Sequence, residues 1–145
     1  MRTIWWDMDG PIANLYAVEN WLPKLHAEDA SPYAEAEVLV NMSQLARLMN
    51  RVQMMGYKLG IISWTAKNST ESYADAVAEA KLNWLKLHLA SVKFDEMNIV
   101  KYGVDKNQFC KSSDDILFDD EEQNRNGWTG KAYNVNNILE VLKAI

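Results

Sequence analysis

The chain alternates short apolar runs with longer amphipathic stretches. Ile4-Trp5-Trp6 runs into Asp7, residues 59–62 run into Ser63, residues 98–100 form a third run, and Ile116-Leu117-Phe118 runs into Asp119. Continuous apolar runs of this length predict strands of a parallel sheet covered on both faces. Residues 132–135 are a weaker fifth candidate. Between these runs the period changes. Leu45, Leu48, Met49, Val52 and Met55 follow helical spacing, and Gly56 comes next as a helix-ending residue. Val77, Ala80, Trp84 and Leu87 mark a second stripe, and Ile138, Val141, Leu142 and Ile145 a third. Such Met and Trp stripes predict core packing rather than a ligand box. Strand and helix in alternation predict an α/β fold, a three-layer Rossmann-like sandwich with a parallel sheet and right-handed crossovers.

One stretch breaks the alternation. Residues 14–42 separate the first strand from the Leu45 helix, more chain than a simple crossover requires. A helix is expected around residues 15–25 and a turn-rich piece over 26–32. The whole reads as a small helical, cap-like insertion beside the carboxyl end of the first strand, within a single domain spanning 1–145.

Composition narrows the function. Of 145 residues 48% are apolar and 24% charged, a mixture that folds rather than one that stays disordered. The net charge of −5 argues against general nucleic-acid binding, which needs Lys and Arg to displace counterions from phosphates. Cys110 is the single cysteine, so no internal disulfide forms and a reducing compartment is the simplest expectation. The first residues lack an apolar signal-peptide core, and no apolar run reaches membrane-spanning length. Together these predict a cytoplasmic protein without a membrane partner.

In an open parallel sheet, ligands bind beyond the carboxyl ends of the strands. Three of the apolar runs deliver polar groups to that edge: Asp7 and Asp9, then Ser63 and Thr65, then Asp119 and Asp120. Each set alone is ordinary turn or capping chemistry. Together they mean something else. Carboxylates gathered on one edge raise one another's pKa unless a cation lies between them. A hard divalent ion with oxygen ligands, Mg²⁺ above all, is the natural partner. An EF-hand reading of Asp7-Met8-Asp9-Gly10 fails, because that loop needs glycine at residue 12, where Ile12 stands. Cys110 has no histidine near it in sequence and reads as a packed residue rather than a nucleophile.

The full set resembles the haloacid-dehalogenase-like superfamily. Asp7-Met8-Asp9-Gly10, followed by Pro11-Ile12-Ala13, is similar to that family's first motif, although Pro11 stands where Thr or Val is usual. Gly60-Ile61-Ile62-Ser63 is similar to the second and Ile116-Leu117-Phe118-Asp119-Asp120 to the fourth. The third, a lysine at the start of a helix, is best matched by Lys106, with Lys101, Lys111 and Lys81 as alternatives.

The resemblance implies a Mg²⁺-dependent phosphohydrolase acting on a small phosphorylated substrate through an aspartyl-phosphate. Asp7 would be nucleophile and metal ligand. Asp9 would be the acid/base, with its backbone carbonyl on the metal. Asp119 and Asp120 would complete the metal site, Ser63 and the Trp64 amide would bind phosphate, and Lys106 would hold the nucleophile. The motif with its helical insertion looks closest to the 5′(3′)-deoxyribonucleotidase-like branch with a reduced cap, which makes a nucleotide one possible substrate. A non-catalytic domain binding a phosphorylated partner, or a phosphotransferase or phosphomutase, are the alternatives.

Overall fold

A computed structural model describes residues 2–145. In chain order the elements are β1 (Thr3–Trp6), β2 (Ala13–Asn14), α1 (Trp21–His26), α2 (Ser31–Glu35), β3 (Glu37–Val38), α3 (Met42–Met54), β4 (Lys58–Trp64), α4 (Glu71–His88), β5 (Glu96–Val100), β6 (Ile116–Phe118), α5 (Glu122–Asn126), β7 (Lys131–Tyr133) and α6 (Ile138–Ala144). Short 3-10 turns lie at Leu15–Ala17, Lys106–Phe109 and Val135–Asn137. All five predicted strands form, and they make one parallel sheet ordered β5-β4-β1-β6-β7.

The order of the strands positions the site. β1 lies at the centre, with Trp6 opposite Ile61 of β4 and opposite Phe118 of β6. One residue further on, Asp7 and Asp119 emerge side by side, and the Asp7 amide donates to the Phe118 carbonyl at 3.0 Å. Ser63 ends the apolar run on the other neighbour.

Pleating sends alternate β1 side chains to opposite faces. Ile4 and Trp6 join Leu59, Ile61, Ile116 and Phe118 in the larger core, which α3, α6 and the end of α4 cover through Leu45, Met49, Val52, Trp84, Leu85 and Leu142. Trp5 joins Ile62, Leu117 and Trp128 on the other face, with Phe109 and Cys110 packed against them. Trp5 and Trp6 are both 0% exposed, and burying a large apolar side chain contributes about 1.5–3 kcal/mol. Gly60 makes the second face possible. It stands opposite Trp5 in the ladder, and a Cβ there would lie 2.3 Å from the indole ring. The α3 and α4 starts are capped by Asn41, which accepts from the Gln44 amide, and by Thr70, which accepts from the Tyr73 amide.

The structure corrects three details. The helix expected around residues 15–25 is a 3-10 turn followed by α1, because Asn20 between them adopts φ 59°. The 14–42 insertion is also not purely helical: α1 and α2 are closed off by a two-stranded antiparallel ribbon, β2 with β3. The α4 stripe is rotated from the one expected, with Tyr73, Val77, Lys81, Trp84 and Leu85 buried and Leu87 73% exposed. Among the described residues, no helix is long and apolar enough to cross a membrane.

Candidate functional site

The loop after β1 turns back on itself. The Met8 carbonyl accepts from the Ile12 and Ala13 amides, and the Gly10 amide donates to the Ala13 carbonyl. Gly10 has φ +100°, and a Cβ on it would lie 2.4 Å from Asp120 Oδ2. A glycine is therefore needed for both the backbone conformation and the approach of Asp120.

Asp7, Asp119 and Asp120 each bring a carboxylate oxygen to within 4.8 Å of the others. Asp119 is fully buried. Its Oδ2 accepts from Lys106 Nζ at 2.7 Å and Asn124 Nδ2 at 3.1 Å, and its Oδ1 accepts from the Glu121 amide at 2.9 Å. Lys106 Nζ also lies 3.3 Å from Asp7 Oδ1 and 5.0 Å from the centre of the Trp64 ring. Burial opposes the Lys106 charge, but Asp7 and Asp119 outweigh it and hold its pKa above the ordinary lysine value.

The cluster lacks positive charge. Burial, aided by Asp119 and Asp9 against the opposing pull of Lys106, pushes the Asp7 carboxyl up to about 8. Burial and Asp119 push Asp120 up to about 6. One ammonium, that of Lys106, reaches Asp7 and Asp119, while three carboxyl groups share the cluster. A hard divalent cation would supply the missing charge and return these carboxylates to their ionised form. The oxygen-only donor set fits such an ion, and Asp7, Asp119 and Asp120 would hold it.

Asp9 takes another path. Its Oδ2 accepts from Lys81 Nζ at 2.6 Å, so the carboxylate stays outside the three-carboxylate cluster. Lys81 also donates to Ser63 Oγ and to the Trp64 carbonyl, both at 2.7 Å. Ser63 is 0% exposed and lies behind the cavity wall, whereas Asp9 and Trp64 line it.

The cavity over these groups has a volume of about 500 Å³. Trp64 and Tyr102 form one aromatic pair in its lining, with ring centres 4.9 Å apart, and Tyr16 and Trp21 form another at 5.2 Å. Tyr16 and Tyr33 both have hydroxyl pKa values raised above the ordinary tyrosine range, through burial first and nearby carboxylates second. Asp7, Asp9 and Lys106 line it, as do His26, Glu28, Asn68 and Ser69.

The aspartates, Ser63 and Trp64 read from the sequence thus sit at the carboxyl edge of β1, β4 or β6, and two lysines from other segments reach them rather than one. Lys106 meets Asp7 and Asp119, and Lys81 meets Asp9. Lys101 is exposed, and Lys111 pairs with Glu96 and packs its ammonium over Trp5. Lys106 opens a 3-10 turn rather than an α-helix, capped by Asp105, which accepts from the Asn107 amide. Asn124 and the approach of Asp120 to Gly10 had no local sequence signal. Lys81 did have one: it falls four residues after Val77 and three before Trp84, a charge on an apolar stripe. Comparison of the chain with protein-family models finds no match, and comparison with curated proteins finds none either.

Proposed function

We propose that this chain is a Mg²⁺-dependent phosphomonoesterase of the haloacid-dehalogenase-like kind, working through an aspartyl-phosphate on Asp7. The observation that carries the reading is Lys106 Nζ bridging Asp7 and Asp119 beside a buried three-carboxylate cluster, at the edge where a parallel sheet presents its ligand.

In this reading Asp7, Asp119, Asp120 and the Asp9 carbonyl would hold Mg²⁺, which would supply positive charge to the phosphoryl group and the carboxylates. Lys106 orients Asp7. An Asp7 oxygen forms a bond to phosphorus while the bond from phosphorus to the ester oxygen breaks, and Asp9 gives that oxygen its proton. Water then attacks the same phosphorus. Asp9 takes a proton from the water, inorganic phosphate leaves and the Asp7 carboxylate is restored. The carboxyl end of β4 receives phosphoryl oxygens through the Trp64 amide, with Ser63 behind it held by Lys81. The aromatic walls of the cavity suit a substrate with a flat organic group, and a nucleoside monophosphate is one such compound.

The test is turnover with Mg²⁺ of nucleoside monophosphates, sugar phosphates and an aryl phosphate. At least one ester should be hydrolysed, and excess chelator should abolish that hydrolysis. Activity that survives chelation would refute the metal's part in it. Inertness toward every ester would refute the enzymatic reading.

A further inference from the structure

We infer that Lys81 is a positioning residue that turns Asp9 toward its work as acid and base; this rests on the phosphomonoesterase reading. Lys81 reaches inward from α4 and is 1% exposed. An ammonium has three donors and no acceptor. Here three acceptors surround it: Asp9 Oδ2 at 2.6 Å, and Ser63 Oγ and the Trp64 carbonyl at 2.7 Å each. No donor remains for a substrate, so Lys81 acts through its partners. Lys106 differs, since it lines the cavity and Lys81 does not.

The contact has a direction. Lys81 occupies Oδ2 of Asp9, which leaves Oδ1 as the oxygen free to exchange a proton in the cavity that Asp9 lines. Without the tether, the Asp9 carboxylate could swing toward the cluster that includes Asp7, two residues away. Ser63 is oriented in the same way. Its oxygen accepts from Lys81, so its own proton must point elsewhere, and among the described residues it meets no protein acceptor. Packing alone does not call for this residue. Its buried neighbours on α4 are Tyr73, Val77, Trp84 and Leu85, and an apolar side chain there would avoid the cost of desolvating an ammonium.

The test is a cycle of Lys81→Met, Asp9→Asn and the double variant, with the single-turnover rate of leaving-group release, and KM, measured on an alkyl and an aryl phosphate ester. A general acid matters most when the leaving oxygen needs a proton. Lys81→Met should therefore lower that single-turnover rate about 10- to 100-fold on the alkyl ester and much less on the aryl one, with KM within about threefold. The double variant should lie within about threefold of Asp9→Asn alone, because residues that act as one unit are not additive. If Lys81→Met does not fold, Lys81→Gln takes its place in the cycle. Equal losses on both esters, or losses that multiply in the double variant, would overturn the proposal and leave the phosphatase reading standing. A wild-type chain inert toward every ester would remove both.

Discussion

Replacing Gly10 by alanine tests the proposed metal site through geometry rather than by deleting a ligand. The added Cβ would sit 2.4 Å from Asp120 Oδ2 and 2.5 Å from its Cγ. Ordinary contact distances near 3.5 Å then require the Asp120 carboxylate to retreat by about 1 Å. Metal–oxygen distances tolerate deviations of only about 0.2 Å, so the displaced carboxylate would no longer serve as a direct ligand in the proposed site. The backbone adds its own cost. Gly10 has φ +100°, and holding alanine in a sparsely populated region costs about 1–3 kcal/mol. We therefore expect the metal-free chain to lose about 1–3 kcal/mol of stability and Mg²⁺ affinity to fall at least about tenfold, which is about 1.4 kcal/mol. Urea midpoints across a Mg²⁺ titration separate the two effects, since strain lowers the whole curve and a lost ligand shifts its Mg²⁺ dependence. Asp120→Asn serves as the reference. A Gly10→Ala variant that keeps the wild-type Mg²⁺ response while Asp120→Asn loses it would refute the proposed steric coupling.

Three further outcomes follow from the same geometry. Asp7→Asn keeps size and hydrogen bonding but cannot attack phosphorus, and its turnover should fall at least about 10³-fold; near-normal rates would remove Asp7 from the nucleophile's role. Asp119→Asn should abolish most of the Mg²⁺-induced rise in melting temperature, whereas exposed Asp114→Asn should leave it intact; equal responses would place the ion elsewhere. Asp115→Ala should unfold at lower urea without changing kcat per folded molecule. Its buried carboxylate accepts from the Thr3 and Lys111 amides at 2.9 Å and from Trp5 Nε1 at 3.4 Å. Stranding these three donors costs about 1–3 kcal/mol apiece, or about 3–9 kcal/mol together if the costs add. A midpoint unchanged from wild type would show that other groups satisfy them.

Local pattern carried much of this protein's organisation. The apolar runs before Asp7, Ser63 and Asp119 read as buried strands, because a short continuous apolar segment fits a strand covered on both faces. Their polar ends then had to share one edge once the strands ran parallel, which made Asp7, Asp9, Ser63, Asp119 and Asp120 legible as a set. Helical spacing likewise revealed α3 and α6 and located most of α4.

What the pattern could not supply were facts about neighbours distant in the chain. Asp115 and Asp119 flank the same strand and look alike in sequence, yet one pins Thr3 and Trp5 at the amino end while the other meets Lys106 at the carboxyl end. Lys106 was the best match for the third-motif lysine, but Lys101 and Lys111 stayed open, since the segment after β5 is irregular and has no period to say which side chain turns inward. Lys81 lies 72 positions from Asp9, and only the packing of α4 against the ends of β1 and β4 joins them. Periodicity records which face of an element avoids water; it holds no information on which other element will supply the partner for a charge placed there. The sequence by itself thus determined the strands, the sheet edge and its acidic residues. The tertiary structure decided which lysine neutralises which carboxylate, because that choice depends on distances set by strand order and helix docking.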